Sequence, residues 1–394
     1  MTASPSCCSK SGSSKDDPLE WFDGMIGHCL DYAREAHAQG VPIVGIMCEY
    51  TPRELILAAG GLPVCLCGGS AKTIPVAEQD LPANLCPLIK STYGYHVMDS
   101  NPFLEMASLI VAETTCDGKK KMFELMGERR PMHILELPQK PDRAEGLAFW
   151  EQNLHELVTR LEDLFSVTVT DGALRDAIAR MNHERWTRRA LAALMSSDHP
   201  PLTGRQLINL KTIISGFPEA QAQLDAALAA LTHRDGIQDS GSRVRVLMTG
   251  VPMVHGAEWV LDLVEERGGL VVATENCTGV KPLLEDVDDG AADPMRALAE
   301  KYYHVPCSVM MANEARLDML RELVRTYRPQ CVIELAWQAC LTYSIEANRV
   351  KRLVEEEFGL PYLYIETDYS TSDAARVGVR VEALYESVMQ QTRG

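Results

Sequence analysis

The stretch "AETTCDGKKKMFELM" (112–126) places Cys116 where an apolar, strand-like run ends and a segment with helical periodicity begins. Asp117 and Gly118 follow the cysteine, and three lysines come next. A thiol at a helix N-terminus lies at the positive end of the helix dipole, which favours the thiolate form that metals bind. A single cysteine is also a common small buried residue. Whether Cys116 is a ligand therefore depends on where the other cysteines lie.

Apolar runs like the one before Cys116 recur along the chain and alternate with helical periods, which predicts α/β domains with parallel, doubly wound, Rossmann-like sheets. The predicted strands lie in "VPIVGIM" (41–47), "PVCLC" (63–67), "ASLIVAETTC" (107–116), "MHILEL" (132–137), "RVRVLMTG" (243–250), "GGLVVATENC" (268–277), "QCVIELAWQAC" (330–340) and "PYLYIETD" (361–368). Helices are predicted over 18–40, from near Pro52 to Gly60, from Asp117 to Met126, and from about His255 to Arg267.

The chain divides into four predicted parts. A polar, disordered tail that contains Cys7 and Cys8, together with the first helix, covers 1–40. The first α/β domain covers 41–140, and long helical periods cover 141–241, ending in the polar linker "THRDGIQDSGS" (232–242). The second α/β domain covers 242–394. Cys7 and Cys8 are predicted to have no function.

The two α/β parts resemble each other, which indicates an internal repeat. The segments 44–69 and 245–279 both run strand, turn, helix, Gly-Gly, strand and cysteine-containing turn. In the same way, "SLIVAETTC" (108–116) corresponds to "CVIELAWQAC" (331–340), each a strand that leads to a cysteine at a helix start.

Six cysteines follow this repeat. Cys86 and Cys116 are separated by the same number of residues as Cys277 and Cys307, while Cys67 matches Cys277 and Cys340 matches Cys116. Nearly all of them lie at the carboxyl ends of predicted parallel strands, where such sheets bind ligands. The close cysteine pairs typical of zinc sites are missing, apart from Cys65 and Cys67, which strand alternation would point to opposite faces. Isolated thiols from several loops favour an iron–sulfur cluster, although packing and zinc stay open at this point.

Composition excludes several classes of function. The net charge of -17 argues against nucleic-acid binding, which needs a basic surface. No apolar run is long enough to span a membrane, and the polar N-terminus does not resemble a secretory signal. Twelve cysteines without such a signal favour the reducing cytoplasm, where thiols serve metals or chemistry. A phosphate-binding P-loop is also missing, so ATP binding of that kind is not expected.

Longer motifs carry a family resemblance. The segments "LPANLCPLIKSTYGY" (81–95), "ETTCDGKKKMFE" (113–124), "ENCTG" (275–279), "WQACLTY" (337–343) and "IETDYSTSD" (365–373) resemble the 2-hydroxyacyl-CoA dehydratase and benzoyl-CoA reductase superfamily, and most closely its double-cubane cluster proteins. The resemblance extends from about residue 40 to 385.

The resemblance implies a set of ligands. Dehydratase subunits bind one [4Fe-4S] cubane through cysteines that correspond to Cys86, Cys116 and Cys340. The double-cubane branch implies an [8Fe-9S] cluster, in which a sulfide bridges two cubanes and three further thiolates are needed. These are expected to be Cys277, Cys307 and Cys67, with Cys48 as the rival for the sixth position. Cys29, Cys65 and Cys331 are assigned to packing.

The resemblance also implies a function: reduction of small molecules such as acetylene at low potential, as a homodimer that receives electrons from a separate ATP-hydrolysing [4Fe-4S] reductase. The alternative is a single-cubane subunit of a 2-hydroxyacyl-CoA dehydratase. A non-enzymatic scaffold holding zinc or a cluster is the third hypothesis. Near the cysteines, Lys90 and the run from Lys119 to Lys121 are expected either to offset cluster charge or to form a solvated face, and Tyr343 either to donate a hydrogen bond or to pack.

Overall fold

The computed structural model describes residue 17 and residues 19–393, so Cys7 and Cys8 lie outside the described residues. Its strands form two separate 4-stranded sheets in which every pairing is parallel. The strands are β1 (Ile43–Ile46), β2 (Leu62–Cys65), β3 (Ala107–Glu113), β4 (Met132–Leu135), β5 (Val244–Gly250), β6 (Gly269–Glu275), β7 (Cys331–Trp337) and β8 (Tyr362–Thr367).

Helices surround and connect these strands. They are α1 (Glu20–Asp23), α2 (Met25–Ala38), α3 (Arg53–Ala58), α4 (Ile74–Ala77), α5 (Pro87–Val97), α6 (Pro102–Met106), α7 (Asp117–Gly127), α8 (Ala144–Phe165), α9 (Asp171–Ala193), α10 (Gly204–Asn209), α11 (Pro218–Leu231), α12 (Trp259–Glu266), α13 (Pro294–Tyr303), α14 (Glu314–Tyr327), α15 (Leu341–Arg352) and α16 (Ala374–Arg393). In the part of the chain that the structure describes, no helix has the length and hydropathy needed to cross a bilayer.

The predicted fold class is confirmed, and the two sheets have the same topology. Their strand orders are β2-β1-β3-β4 and β6-β5-β7-β8, so the strands of the first sheet correspond one by one to those of the second. The internal repeat inferred from sequence therefore has a matching repeat in topology. Strands β1, β5, β6 and β7 are buried along almost their whole length, as expected for parallel strands covered on both faces. The four domain boundaries stay a prediction.

Apolar side chains alternate between the two faces of each sheet and build separate cores. On the first sheet, Ile43 and Ile110 pack with α2, α5 and α7, while Val44 and Leu109 pack with α8. On the second sheet, one face packs with α12 and α16 and the other with α14 and α15. The middle helices do not stand apart: Trp150 of α8 is fully buried in the same core as residues of β1 and α13.

Two helix predictions needed correction at their ends. The predicted N-terminal helix is interrupted at Gly24, which separates α1 from α2. The helix expected from His255 begins only at Trp259, because Gly256 adopts a left-handed backbone conformation with φ of 95° and forms a turn first. This turn matters for the site, since it lies against the loop that follows β2: the Gly69 carbonyl lies close to Gly256.

Candidate metal centre

Eight cysteines line one cavity of ≈ 430 Å³ at the carboxyl edges of the two sheets. Both sheets contribute to its wall, and apolar residues such as Ile46, Val251 and Trp337 fill most of the rest. The cysteines are Cys48, Cys65, Cys67, Cys86, Cys116, Cys277, Cys307 and Cys340. The structure thus brings together all six predicted ligands, the rival Cys48 and also Cys65. By contrast, Cys29 and Cys331 are fully buried in the core.

Three of these thiols belong to cysteines at the N-cap position of a helix. Cys86 is the N-cap of α5, Cys116 is the N-cap of α7, and Cys340 is the N-cap of α15. Three positive helix ends therefore converge on one wall of the cavity, which favours negative charge there. Burial and the neighbouring Cys86 and Cys116 nevertheless raise the pKa of Cys340 to about 12, so the Cys340 thiol needs a bound metal to ionise.

A second set of thiols lies beside the first. Cys48 follows β1, Cys277 follows β6, and Cys307 lies in the loop between α13 and α14. They are close enough to act on one another electrostatically: burial raises the pKa of Cys277 well above its usual value, and Cys307 and Cys48 raise it further. Burial likewise raises the pKa of Cys48 to about 12, with a contribution from Cys307.

Cys65 and Cys67 differ from what strand alternation predicts. Their side chains do pack against different cores, but both line the cavity, because β2 ends at Cys65 and the regular alternation ends with it. A hydrogen bond with the Cys67 thiol lowers the pKa of Cys65 to about 7. The Met47 carbonyl oxygen, 3.5 Å from the Cys67 sulfur, is a second acceptor within reach of its single S–H. The assignment of Cys65 to packing alone therefore misses its place in the wall.

The lysine run divides into two roles. Lys119 lines the cavity, and its ammonium donates to the Met47 carbonyl at 2.8 Å. Burial alone would lower the pKa of Lys119, but Cys48, Cys67 and Cys116 raise it above its usual value. Lys120 also reaches the rim of the cavity, but its ammonium pairs with Asp117 of its own helix, and Lys121 pairs with Glu124 at the surface.

Two other candidates from the sequence also have defined positions. Lys90 is buried away from the cavity wall, where its ammonium donates to Glu78 and to the Ala83 carbonyl, both at 2.7 Å. Tyr343 lines the cavity, and its hydroxyl is 3.1 Å from the ammonium of Lys281. Tyr343 therefore joins the thiols to a charged network behind them.

A buried ion network supports the second set of thiols, and sequence reasoning missed it. Arg316 of α14 bonds Glu275 at the end of β6, Glu334 within β7, and Glu346 of α15. Lys281 pairs with Glu275 at 2.7 Å, and both side chains are fully buried. Although burial would raise it, Arg316 and Lys281 hold the pKa of Glu275 below its usual range. The acidic residues inside the apolar strand runs were the available signal, since a carboxylate there needs a buried cation.

The donor set fits an iron–sulfur cluster. Thiolates hold such clusters whatever their separation in sequence, and here the thiols come from separate loops onto one largely apolar cavity. The positive ends of three helix dipoles and the ammonium groups of Lys119 and Lys281 would offset the negative charge of a thiolate-bound cluster. Among residue 17 and residues 19–393, no three His, Cys, Asp or Glu side chains are arranged to hold a single metal ion.

Comparison with known proteins shows the family of the chain. Residues 48–388 match the family model "2-hydroxyglutaryl-CoA dehydratase, D-component". The chain is 40% identical over 354 residues, 88% of its length and 92% of the relative's, to YjiM of Escherichia coli, which is provisionally named a dehydratase subunit. It is 22% identical to the beta subunit of (R)-phenyllactyl-CoA dehydratase of Clostridium sporogenes, covering 95% of this chain and 100% of that protein. It is 24% identical to one of the subunits of benzoyl-CoA reductase of Thauera aromatica, covering 76% of this chain and 78% of that protein. The chain is therefore a member of the 2-hydroxyglutaryl-CoA dehydratase D-component family, within the dehydratase and benzoyl-CoA reductase superfamily that its motifs resemble.

Proposed function

We propose that the chain is the iron–sulfur subunit of a 2-hydroxyacyl-CoA dehydratase type of enzyme, and that Cys86, Cys116 and Cys340 bind its cluster. The observation that carries this proposal is the convergence of three N-cap thiols on one cavity wall. The family match and the relatives named as dehydratase beta subunits support the reaction class.

In this proposal the chain positions the cluster and sets its surroundings. The cluster supplies one-electron chemistry at low potential. Ile46, Val251 and Trp337 keep bulk water from the thiols, while Lys119 and three helix N-termini offset negative charge. A separate ATP-hydrolysing iron–sulfur reductase delivers the electrons in the cytoplasm, as the resemblance implies.

A double-cubane reductase is the second candidate, and one observation favours it. A single cubane leaves Cys48, Cys277 and Cys307 without a role, although they lie together on the same cavity and are supported by a buried ion network. Their electrostatic effects on one another support Cys48 as the third ligand of a second cubane. Cys67 remains the competing choice; its thiol forms a hydrogen bond with Cys65, and the Met47 carbonyl is a second acceptor within reach.

The first experiment is to measure iron, acid-labile sulfide and zinc per chain after purification without oxygen. About four irons per chain would support the single cubane, and about eight would support the double cubane. Zinc in place of iron would contradict both. Binding of an acyl-CoA then supports the dehydratase, whereas ATP-dependent reduction of acetylene with a reductase partner supports the second candidate.

Serine substitutions then assign the ligands. Cys116→Ser is expected to remove the iron of the first cubane. If eight irons are present, the comparison of Cys48→Ser with Cys67→Ser identifies the sixth ligand, because the protein loses iron only when the true ligand is replaced. Cys331→Ser is the matched control, since this fully buried thiol lies in β7 away from the cavity. Equal iron loss in the control would show that the variants act through folding.

A further inference from the structure

A second cavity of ≈ 330 Å³ adjoins the thiol cavity and shares part of its wall, including Cys65, Cys67 and Cys277. The helical middle of the chain forms the opposite wall, through Arg188 of α9 and through Lys211, which follows α10. The middle helices therefore reach the neighbourhood of the thiols.

Most of the charged groups in this cavity already have partners. The guanidinium of Arg53 pairs with Glu49 at 2.7 Å. Arg185 pairs at 2.9 Å with Glu54, which is fully buried. The ammonium of Lys301 lies 4.2 Å from the centre of the Tyr302 ring.

Arg188 and Lys211 differ from these. The guanidinium of Arg188 has one ion pair, with Glu184 at the long distance of 3.8 Å, and the other oxygen of Glu184 accepts from the backbone of Gly216. The buried ammonium of Lys211 has no hydrogen-bond partner among the described residues. Burial lowers the pKa of Lys211 to about 8; Glu258 opposes this shift, and the neighbouring Arg188 adds to it.

Two neighbouring cations that are withdrawn from water and form no hydrogen bond with a carboxylate cost free energy unless an anion joins them. We propose that Arg188 and Lys211 bind an oxyanion, the acidic group of the substrate, and hold it beside the thiol cavity. Arg188 provides the planar fork that matches a carboxylate or phosphate, and Lys211 provides a point charge. The proposal rests on the proposed function for calling this anion the substrate, but the binding itself does not depend on any reaction.

The test is calorimetric titration of the anaerobically purified full chain with lactate, with inorganic phosphate, and with neutral lactamide. Lactate or phosphate is expected to bind and lactamide is not. Preference for lactate identifies a carboxylate, which on an acyl-CoA is a second acidic group of the acyl chain because the first is bound as the thioester. Preference for phosphate identifies the phosphates of the carrier. Arg188→Gln and Lys211→Met are each expected to weaken binding by about tenfold or more.

Two further variants make the test specific. Arg180→Gln removes the same charge from an exposed position on α9 and is expected to bind like the unchanged protein. Arg188→Lys keeps the charge and is expected to restore part of the affinity if Arg188→Gln folds poorly. The proposal is wrong if neither anion binds, or if Arg188→Gln, Lys211→Met and Arg180→Gln bind equally well. If the unchanged protein binds the anion but shows no dehydratase activity, the result counts against the proposed function and not against this subsite.

Discussion

Replacing Arg316 by methionine tests how the second sheet is held together behind the thiols. The side chain is fully buried and donates to three carboxylates and a hydroxyl. These bonds go to Glu275 at 3.1 Å, Glu346 at 2.7 Å, Thr249 at 2.9 Å and Glu334 at 3.2 Å. Methionine keeps much of the volume but supplies neither charge nor donors.

The expected cost follows from the charges left behind. Removing one partner of a buried ion pair costs about 3–5 kcal/mol, because the other charge stays buried without compensation. Glu275 and Glu334 are fully buried, and Lys281 remains to compensate Glu275. We therefore expect Arg316→Met to lower the free energy of unfolding by about 4 kcal/mol, a large part of the roughly 5–15 kcal/mol that stabilises a native protein.

Urea unfolding followed by circular dichroism measures this loss. The matched control is Arg321→Met, which lies on the same helix but pairs with Glu357 and Asp318 at the surface, where ion pairs contribute little. Adding Glu275→Gln and Glu334→Gln to Arg316→Met is expected to recover part of the stability, since the uncompensated charges are then removed. If Arg316→Met and the control unfold at the same urea concentration, the buried network does not stabilise the sheet.

Three more outcomes are expected. Lys119→Met lowers the reduction potential of the bound cluster by roughly 100 mV in a redox titration, because a nearby cation stabilises the reduced form, whereas the exposed Lys121→Met leaves it unchanged. Gly69→Ala lowers iron content and melting temperature, because its Cβ would lie 2.1 Å from a backbone carbonyl of the turn before α12, whereas Gly27→Ala has open space and does neither. Burial lowers the pKa of His96 from 6.5 to about 4, so folding favours the neutral imidazole. The stability that this residue contributes is therefore present above pH 6.5 and is lost as pH falls toward 4, by about 1 kcal/mol between pH 7.5 and 5.5. His96→Gln is expected to remove that share of the pH dependence of the free energy of unfolding.

The sequence could predict the parts of the fold that depend on local patterns. Parallel strands buried on both faces appear as short apolar runs. Five of the cysteines in the cavity follow such a run at the point where the chain turns, namely Cys48, Cys67, Cys116, Cys277 and Cys340. That is why the strands, their repeat and the gathering of the thiols were predictable. The ligand assignments themselves stay a prediction.

Other features depend on contacts between distant segments. The pairing of Arg316 with Glu275 and Glu334 joins three elements, and nothing in the local sequence specifies which cation reaches which carboxylate. The position of Cys65 depends on where β2 ends, which differs from the predicted end by two residues. The approach of Arg188 to the cavity depends on how the middle helices pack, which a helical period alone does not reveal.

Both sheets contribute residues to the cavity wall, and this has a consequence for biosynthesis. Cys86 and Cys116 come from the first half of the chain, but the third N-cap thiol, Cys340, lies near its C-terminal end. A ribosome therefore has to synthesise the chain at least as far as Cys340 before the wall is complete. Early in translation the first two N-cap thiols are present without the wall that encloses them, so a cluster that needs all three thiols could be completed only after Cys340 has been synthesised.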